Sequence, residues 1–317
     1  MKLQTRVHFD QDCKNLIDYQ SNVFSIGSCF SVNIGNKLSY FKFNLLQNPF
    51  GILFHPLAIQ NYVERSLSKK LFTAEEIHQL DEQYFSFEAH SELNNLDKSL
   101  LLQQLNKAII RGHDYLQKSS HILITLGTAW VYRYKSTGQM VANCHKVPQQ
   151  EFTKELLSID TIKQSLANIK NAIHTQNSDA ELIFTVSPVR HIRNGLIENN
   201  RSKSNLISAI HDVIENEGAM HYFPSYEIQM DELRDYRFYK DDLIHPSKLA
   251  IDYIWEEFKR KWIEPKVFPT MNEIDSIQKG LAHKPFQENS EAHQIFKEKL
   301  SANIDRIQQQ FPNIKFD

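Results

Sequence analysis

Three observations predict an α/β fold with a mostly parallel sheet, helices on both of its faces, and a helical tail. Short apolar runs alternate with amphipathic stretches of helical length between residues 22 and 262. One run, His121–Leu126 (HILITL), is apolar almost throughout, as a strand buried on both faces of a parallel sheet requires. Beyond residue 270 the strand-like runs stop, and Gln, Lys and Glu dominate a sequence with helical spacing. Strands alternating with helices of this length imply βαβ units.

The elements follow in order. Asn22–Ile26 (NVFSI) reads as a strand ending at Gly27-Ser28-Cys29, after which Phe30, Ile34, Leu38 and Phe41 fall at helical spacing. Residues 41–46 alternate apolar and polar before the turn Asn48-Pro49-Phe50-Gly51, and 57–68 read as a helix. Residues 72–100 are mostly polar and suit a weak helix or small strands. A helix over 100–117 carries Leu101, Leu105, Ile109 and Tyr115 near one face and feeds the strand 121–126. The pattern repeats with a helix over about 151–176 and the strand 181–186, then a helix over about 201–217 and the strand 221–224. A helix over about 248–262 follows Pro246. Pro285 divides the tail into two helices, the second striped with Phe296, Leu300, Ile304, Ile307 and Phe311. The expected division is an α/β domain over 1–265 and a helical extension over 266–317.

Composition narrows the function classes. A chain of 317 residues, 41% hydrophobic and 23% charged, is globular rather than disordered. Its formal net charge of -2 supplies no excess of positive charge to attract nucleic acid or an anionic membrane. Three cysteines do not make a disulfide framework, and the opening MKLQTRVHFDQDCKN lacks the apolar stretch of a signal peptide. No run approaches the roughly 18 apolar residues of a spanning helix. A soluble, cytoplasmic setting is expected, with no nucleic-acid or membrane partner.

In an open α/β sheet the ligand site lies beyond the carboxyl ends of the strands, and four segments put reactive residues there. Ser28 and Cys29 stand side by side at a helix start, where free N–H groups favour an anion and can lower a thiol's pKa. Either can equally serve as an N-cap or a small buried residue. Gly51 allows close backbone approach, so its N–H could face a substrate oxygen. Thr128, in the turn after the most apolar strand, and Asn143 and His145 downstream are candidate donors or substrate contacts. Asp242 lies three residues before His245; such a carboxylate accepts Nδ1–H, fixes the tautomer and leaves Nε2 as a base. Arg190, His191 and Arg193 follow the strand 181–186 and could hold an anionic part of a substrate.

The 14 histidines invite a metal, and His55, His145, His191 and His245 could meet at one edge, but no metal-ligand spacing is present. No glycine-rich phosphate loop appears. Neither metal nor cofactor is expected.

The run Gly27-Ser28-Cys29-Phe30-Ser31, with Ser31 where the usual motif has Ala, resembles the signature of the GSCFA family, itself similar to the SGNH/GDSL hydrolases. The resemblance covers about residues 20–260. It implies a flavodoxin-like three-layer α/β/α sandwich, acyl-ester chemistry, a nucleophile after the first strand, oxyanion donors from two later loops, and an Asp/His pair near the end. The SGNH opening block, Gly-Asp-Ser, aligned without gaps, sets Cys29 rather than Ser28 at the nucleophile. Gly51 matches the second block, and Asp242 and His245 match the last. The third block's Asn is missing from Gly127-Thr128-Ala129-Trp130, leaving Thr128 or Asn143 as substitutes. The expected function is hydrolysis of a small or carbohydrate-linked ester. Acyl transfer through a cysteine acyl-enzyme and a non-catalytic binding or scaffold role are the alternatives.

Overall fold

The computed structural model describes residues 5–8, 15–215, 219–287 and 290–316. Its centre is a five-stranded, wholly parallel sheet built from β1 (Asn22–Gly27), β2 (Asn44–Gln47), β5 (His121–Leu126), β9 (Glu181–Val186) and β10 (Met220–Tyr222), in the order β10-β9-β5-β1-β2. Counted among themselves from one edge, these strands run 2-1-3-4-5, the flavodoxin-like order, whose direction of winding reverses between β1 and β5.

Alternation along each strand assigns the two cores. Phe24 and Ile26 on β1, Ile122, Ile124 and Leu126 on β5, and Leu182, Phe184 and Val186 on β9 enter one core. Val23, Leu123 and Ile183 enter the other. The first core is closed by α2 (Pro56–Leu67), α3 (Lys98–Lys118), α4 (Ile159–Gln176) and α5 (Leu196–Ile214), which pack on one another. The second is closed by α1 (Cys29–Tyr40) and α7 (Lys248–Trp262). The result is the three-layer sandwich. Each large side chain so buried contributes about 1.5–3 kcal/mol, and on α7 those are Ile254, Trp255, Phe258 and Trp262.

The tail extends the second layer. Helix α8 (Phe268–Leu281) buries Met271, Ile274 and Ile277, and α9 (Glu291–Gln310) buries Ile307, all in the second core. Leu300, Ile304 and Phe311 pack against the same cluster. Tyr19 stacks on Phe43 (centroids 4.7 Å) and meets Phe311 (4.9 Å), tying the tail to the start of the chain.

Several sequence expectations are corrected. The stretch at 151–156 is not helical: β8 (Phe152–Leu156) pairs antiparallel with β6 (Trp130–Tyr134), which also pairs with β7 (Met140–Val141), forming a three-stranded sheet. The fourth helix therefore starts at Ile159, capped by Ser158, whose Oγ accepts the Thr161 N–H. The strand expected at 41–46 begins only at Asn44. The helix expected at 201–217 begins earlier, at Leu196, and ends at Ile214; residues 216 and 217 lie outside the described residues. Between 72 and 100 the small strands form: β3 (His78–Leu80) and β4 (Gln83–Phe85) make a hairpin. Beyond β10, a single turn, α6 (Ser225–Glu227), leads toward α7.

Candidate active site

The Gly27-Ser28-Cys29 turn is dictated by backbone packing at the β1–β5 reversal. Gly27 has φ +141°, and a Cβ there would sit 2.2 Å from the Thr125 carbonyl oxygen, so only glycine lets β1 end this close to β5. Ser28 then caps α1 by position, and Cys29 is its first residue. Asn48 binds this turn to the end of β2: its Oδ1 accepts the Gly27 N–H (2.9 Å), and its Nδ2 donates to Ser31 Oγ (2.8 Å). Ser31 Oγ also lies 2.8 Å from the Ser28 carbonyl oxygen, to which it can donate.

The two candidate nucleophiles differ in environment. Ser28 is 1% exposed, and its Oγ has no hydrogen-bond partner. Cys29 is half-buried. Burial pushes its thiol up, against the opposing pull of its own backbone N–H and of Lys203, while Glu92 adds to the rise. The helix start thus does not by itself give the lowered thiol pKa expected above. Burial outweighs it.

His191 stands beside the turn. A Cβ on Gly127 would lie 2.9 Å from Ser28 Cβ and 3.2 Å from His191 Nε2, so both groups crowd the same glycine. His191 donates its backbone N–H to Asn199 Oδ1 (2.9 Å), sets its ring edge-on to Phe54 (5.4 Å), and leaves Nε2 buried without a partner. Burial lowers its pKa to about 3, with Lys203 and His245 adding to the fall. His191 is therefore a neutral imidazole, electrostatically within reach of His245.

The Asp242–His245 pair forms as its spacing predicts. Asp242 Oδ1 accepts the Ile244 and His245 backbone N–H groups (both 2.9 Å), and Oδ2 lies 2.7 Å from His245 Nδ1. A carboxylate only accepts, so His245 Nδ1 carries a proton directed at Asp242. The two backbone N–H groups and the imidazole hold the Asp242 carboxyl down at about 2. Leu243 takes φ +56° to close this tight loop, which is anchored where Lys240 N–H donates to His245 O (2.8 Å) and Ser247 N–H to Phe238 O (2.9 Å).

The proposed donors fare unevenly. Gly51 N–H is committed to Asn48 O and Ser28 N–H to Thr125 O, so neither is free for an oxyanion. Thr128 N–H donates to Phe54 O, and its Oγ1 accepts the Trp130 N–H and pairs with Ser202 Oγ. The first-turn N–H groups of α1 have no acceptor within their own helix, and that of Cys29 faces its own thiol. Thr128, Asn143, His145 and His191 share the wall of a cleft of ≈ 260 Å³ with Phe54, Trp130 and Tyr132. Asn143 and His145 also line a larger cleft of ≈ 650 Å³ reaching the β3–β4 hairpin. Arg190 donates to Tyr239 Oη at 3.3 Å, on the strand-like segment that anchors His245.

His55 and His145 are held as neutral rings, each lowered to about 4 by burial, and each Nε2 faces a backbone carbonyl, of Val141 and Ser86 respectively. Among the described residues no group of three His, Cys, Asp or Glu is placed to hold a metal ion.

The GSCFA family model matches residues 22–258, and the model of the C-terminal domain of GSCFA domain proteins matches residues 274–317. The chain belongs to the GSCFA family. No curated protein matches it. In this GSCFA protein the signature pentapeptide is the β1–α1 turn itself, and the serine in place of the motif's alanine makes the Ser31 hydrogen bonds described above.

Sequence reasoning missed the polar face of α5. Asn199, Ser202 and Lys203 lie in helical register with buried Leu206, Ala209 and Ile210, and all are at most 2% exposed. Asn199 holds His191, Ser202 accepts the Ala129 N–H (2.7 Å), and Lys203 Nζ donates to the Gly127 and Ser187 carbonyls (2.7 and 2.6 Å). Buried polar residues on an otherwise apolar helix face were the available signal.

Proposed function

We propose that this GSCFA protein is an acyl-ester hydrolase in which Cys29 is the nucleophile and the Asp242–His245 pair is the general base and acid. The observation that carries the reading is the oriented imidazole. Asp242 accepts two hydrogen bonds from His245, from its backbone N–H and from Nδ1, and a third from the Ile244 N–H, so the ring is held with Nδ1 as donor. Cys29 is preferred to Ser28 because Ser28 is sealed and Cys29 is part-exposed.

In this reading His245 Nε2 takes the thiol proton, sulfur attacks the acyl carbon, and the first-turn N–H groups of α1 face the developing oxyanion. The C–O bond breaks, His245 returns the proton to the alkoxide, and a thioester remains on Cys29. Water, deprotonated by the same imidazole, releases the acid and restores the thiol. The cleft beside His191, walled by Phe54, Trp130 and Tyr132, is where a small or carbohydrate-linked ester would lie. A second reading, transfer to a hydroxyl acceptor, is favoured by the sulfur itself, because a thioester passes its acyl group readily to another carrier.

Acid quenching after mixing with p-nitrophenyl acetate, followed by peptide mapping, tests both. An acetyl group on Cys29, absent from Cys29→Ala, is expected. Acid released without an acceptor means hydrolysis, and release only with one means transfer. No acyl group on Cys29 overturns the enzyme reading and favours a scaffold.

A further inference from the structure

The cleft beside His191 holds a charge that the acyl chemistry proposed above does not use. None of the side chains lining its ≈ 260 Å³ is Asp or Glu, and the one permanent charge among them is the guanidinium of Arg193, in the segment after β9. Most arginines of the chain lie against a carboxylate, as Arg133 does with Glu155 (2.8 Å) and Arg201 with Glu198 (2.9 Å). Arg193 instead donates to the neutral amide oxygen of Gln149 (2.8 Å), and among the described residues no carboxylate lies within ion-pair distance of it.

A second cation stands at the same wall. Lys154, on β8, sets Nζ 4.0 Å from the centroid of the Trp130 ring, which lines the cleft, and it too has no carboxylate partner among the described residues. Glu198, whose carbonyl accepts the Trp130 Nε1–H (3.0 Å), gives its carboxylate to Arg201. The three imidazoles in the lining, of His55, His145 and His191, are neutral and cancel none of this charge. Two like charges without a counter-ion disfavour each other. Burial first, then Arg193, lowers the Lys154 ammonium, with Glu198 opposing. Toward negative charge Arg193 acts the other way: burial raises the Tyr132 hydroxyl and the Cys144 thiol in this cleft, and Arg193 opposes both rises.

We propose that Arg193 and Lys154 form an anion subsite in this cleft, which takes a carboxylate or phosphate group of the ligand. A guanidinium meets such a group with two parallel N–H···O bonds, and the bond to Gln149 leaves donors for them. The Lys154 ammonium adds a point charge at the Trp130 face. The inference rests on the hydrolase reading only in calling that ligand a substrate, an ester with a negatively charged group near the acyl bond. Binding of the anion needs neither Cys29 nor His245.

Cys144, half-buried in the same lining, reports on the subsite without any ester. The measurement is its rate of alkylation by iodoacetate, an anion, divided by its rate with iodoacetamide, the neutral analogue, each located by peptide mapping of the intact protein. In Arg193→Gln that ratio should fall by about fivefold, and Arg193→Lys, which keeps the charge, should retain most of it. Lys154→Gln should lower it as well. An unchanged ratio in Arg193→Gln overturns the proposal. So does an equal fall at Cys29, which would report the change in net charge and not a local seat.

Protection identifies the group. Glutarate and glycerol 3-phosphate, each added alone, should slow alkylation of Cys144 by iodoacetamide in the wild type and lose that effect in Arg193→Gln. Protection by one of them alone assigns the group as carboxylate or as phosphate, and protection by neither overturns the proposal. A protein that shields Cys144 with an anion yet never carries an acyl group on Cys29 would sink the hydrolase and leave the subsite standing. Acylation of Cys29 with no anion effect at Cys144 would do the reverse.

Discussion

His245 Nδ1 lies 2.7 Å from Asp242 Oδ2, and the same carboxylate accepts the backbone N–H of His245, so ring and main chain are fixed by one residue three positions away. Both side chains remain about 40% exposed. An exposed pair of this kind adds little to folding, so its removal should be read in activity and not in stability. His245→Ala is expected to lower p-nitrophenyl acetate turnover by about 10²–10⁴-fold with the melting temperature nearly unchanged. Asp242→Asn should lose less, because the amide can still accept from the two N–H groups. A His245→Ala protein with full turnover would remove the base from the mechanism.

Gly27→Ala should act in the opposite way. The new methyl would stand 2.2 Å from Thr125 O, a backbone atom in the middle of the central sheet, at φ +141°. Backbone strain of this type costs on the order of 1–3 kcal/mol before any clash is counted. Chemical denaturation should therefore show at least that loss, together with altered Cys29 alkylation. Unchanged stability would mean that β1 and β5 are not packed as described.

Strands β1, β5 and β9 were legible because each is a short, mostly apolar run, the imprint of burial on both faces, whereas the edge strands β2 (NLLQ) and β10 (MHY) are short and only partly buried. The antiparallel sheet was not. Its strands β6 (WVYRY), β7 and β8 (FTKEL) are short or half-polar and owe their existence to cross-strand partners up to 26 residues away. The Asp242–His245 pair was legible because it is local, two side chains in one tight turn. The neighbourhood of Ser28, His191 and Lys203 was not, since it exists only once β1, β5 and β9 are laid side by side. Gly51 matched its motif in spacing, yet its N–H is spent on the turn that the motif forms.

Three neutral imidazoles, His55 buried and His145 and His191 half-buried, make the fold acid-sensitive. His55 and His145 are lowered to about 4 and His191 to about 3, all by burial first. Their reference value is about 6.5 in the unfolded chain, so between those limits the unfolded chain binds more protons, and stability falls as pH falls. Each should contribute a slope approaching about 1.4 kcal/mol per pH unit within its window. Denaturation midpoints measured from pH 7 to pH 4 should drop steeply, and His55→Gln should flatten the curve. A flat profile would mean that these rings take up protons without unfolding.

The tail should be thermodynamically part of the sandwich. Ile307 is fully buried in the second core with Ile274 and Ile277, although it lies on the last turns of α9. Ile307→Ala removes three carbons from a packed site and should cost about 2–5 kcal/mol, seen as a single cooperative transition at lower temperature. The polar partner Arg306, paired with Glu273 at 3.2 Å and well exposed, is the control: Arg306→Ala should cost no more than about 1 kcal/mol. If Ile307→Ala instead produces a separate early transition while the main one stays in place, α8 and α9 melt as their own unit, and the second core is closed by α1 and α7 alone.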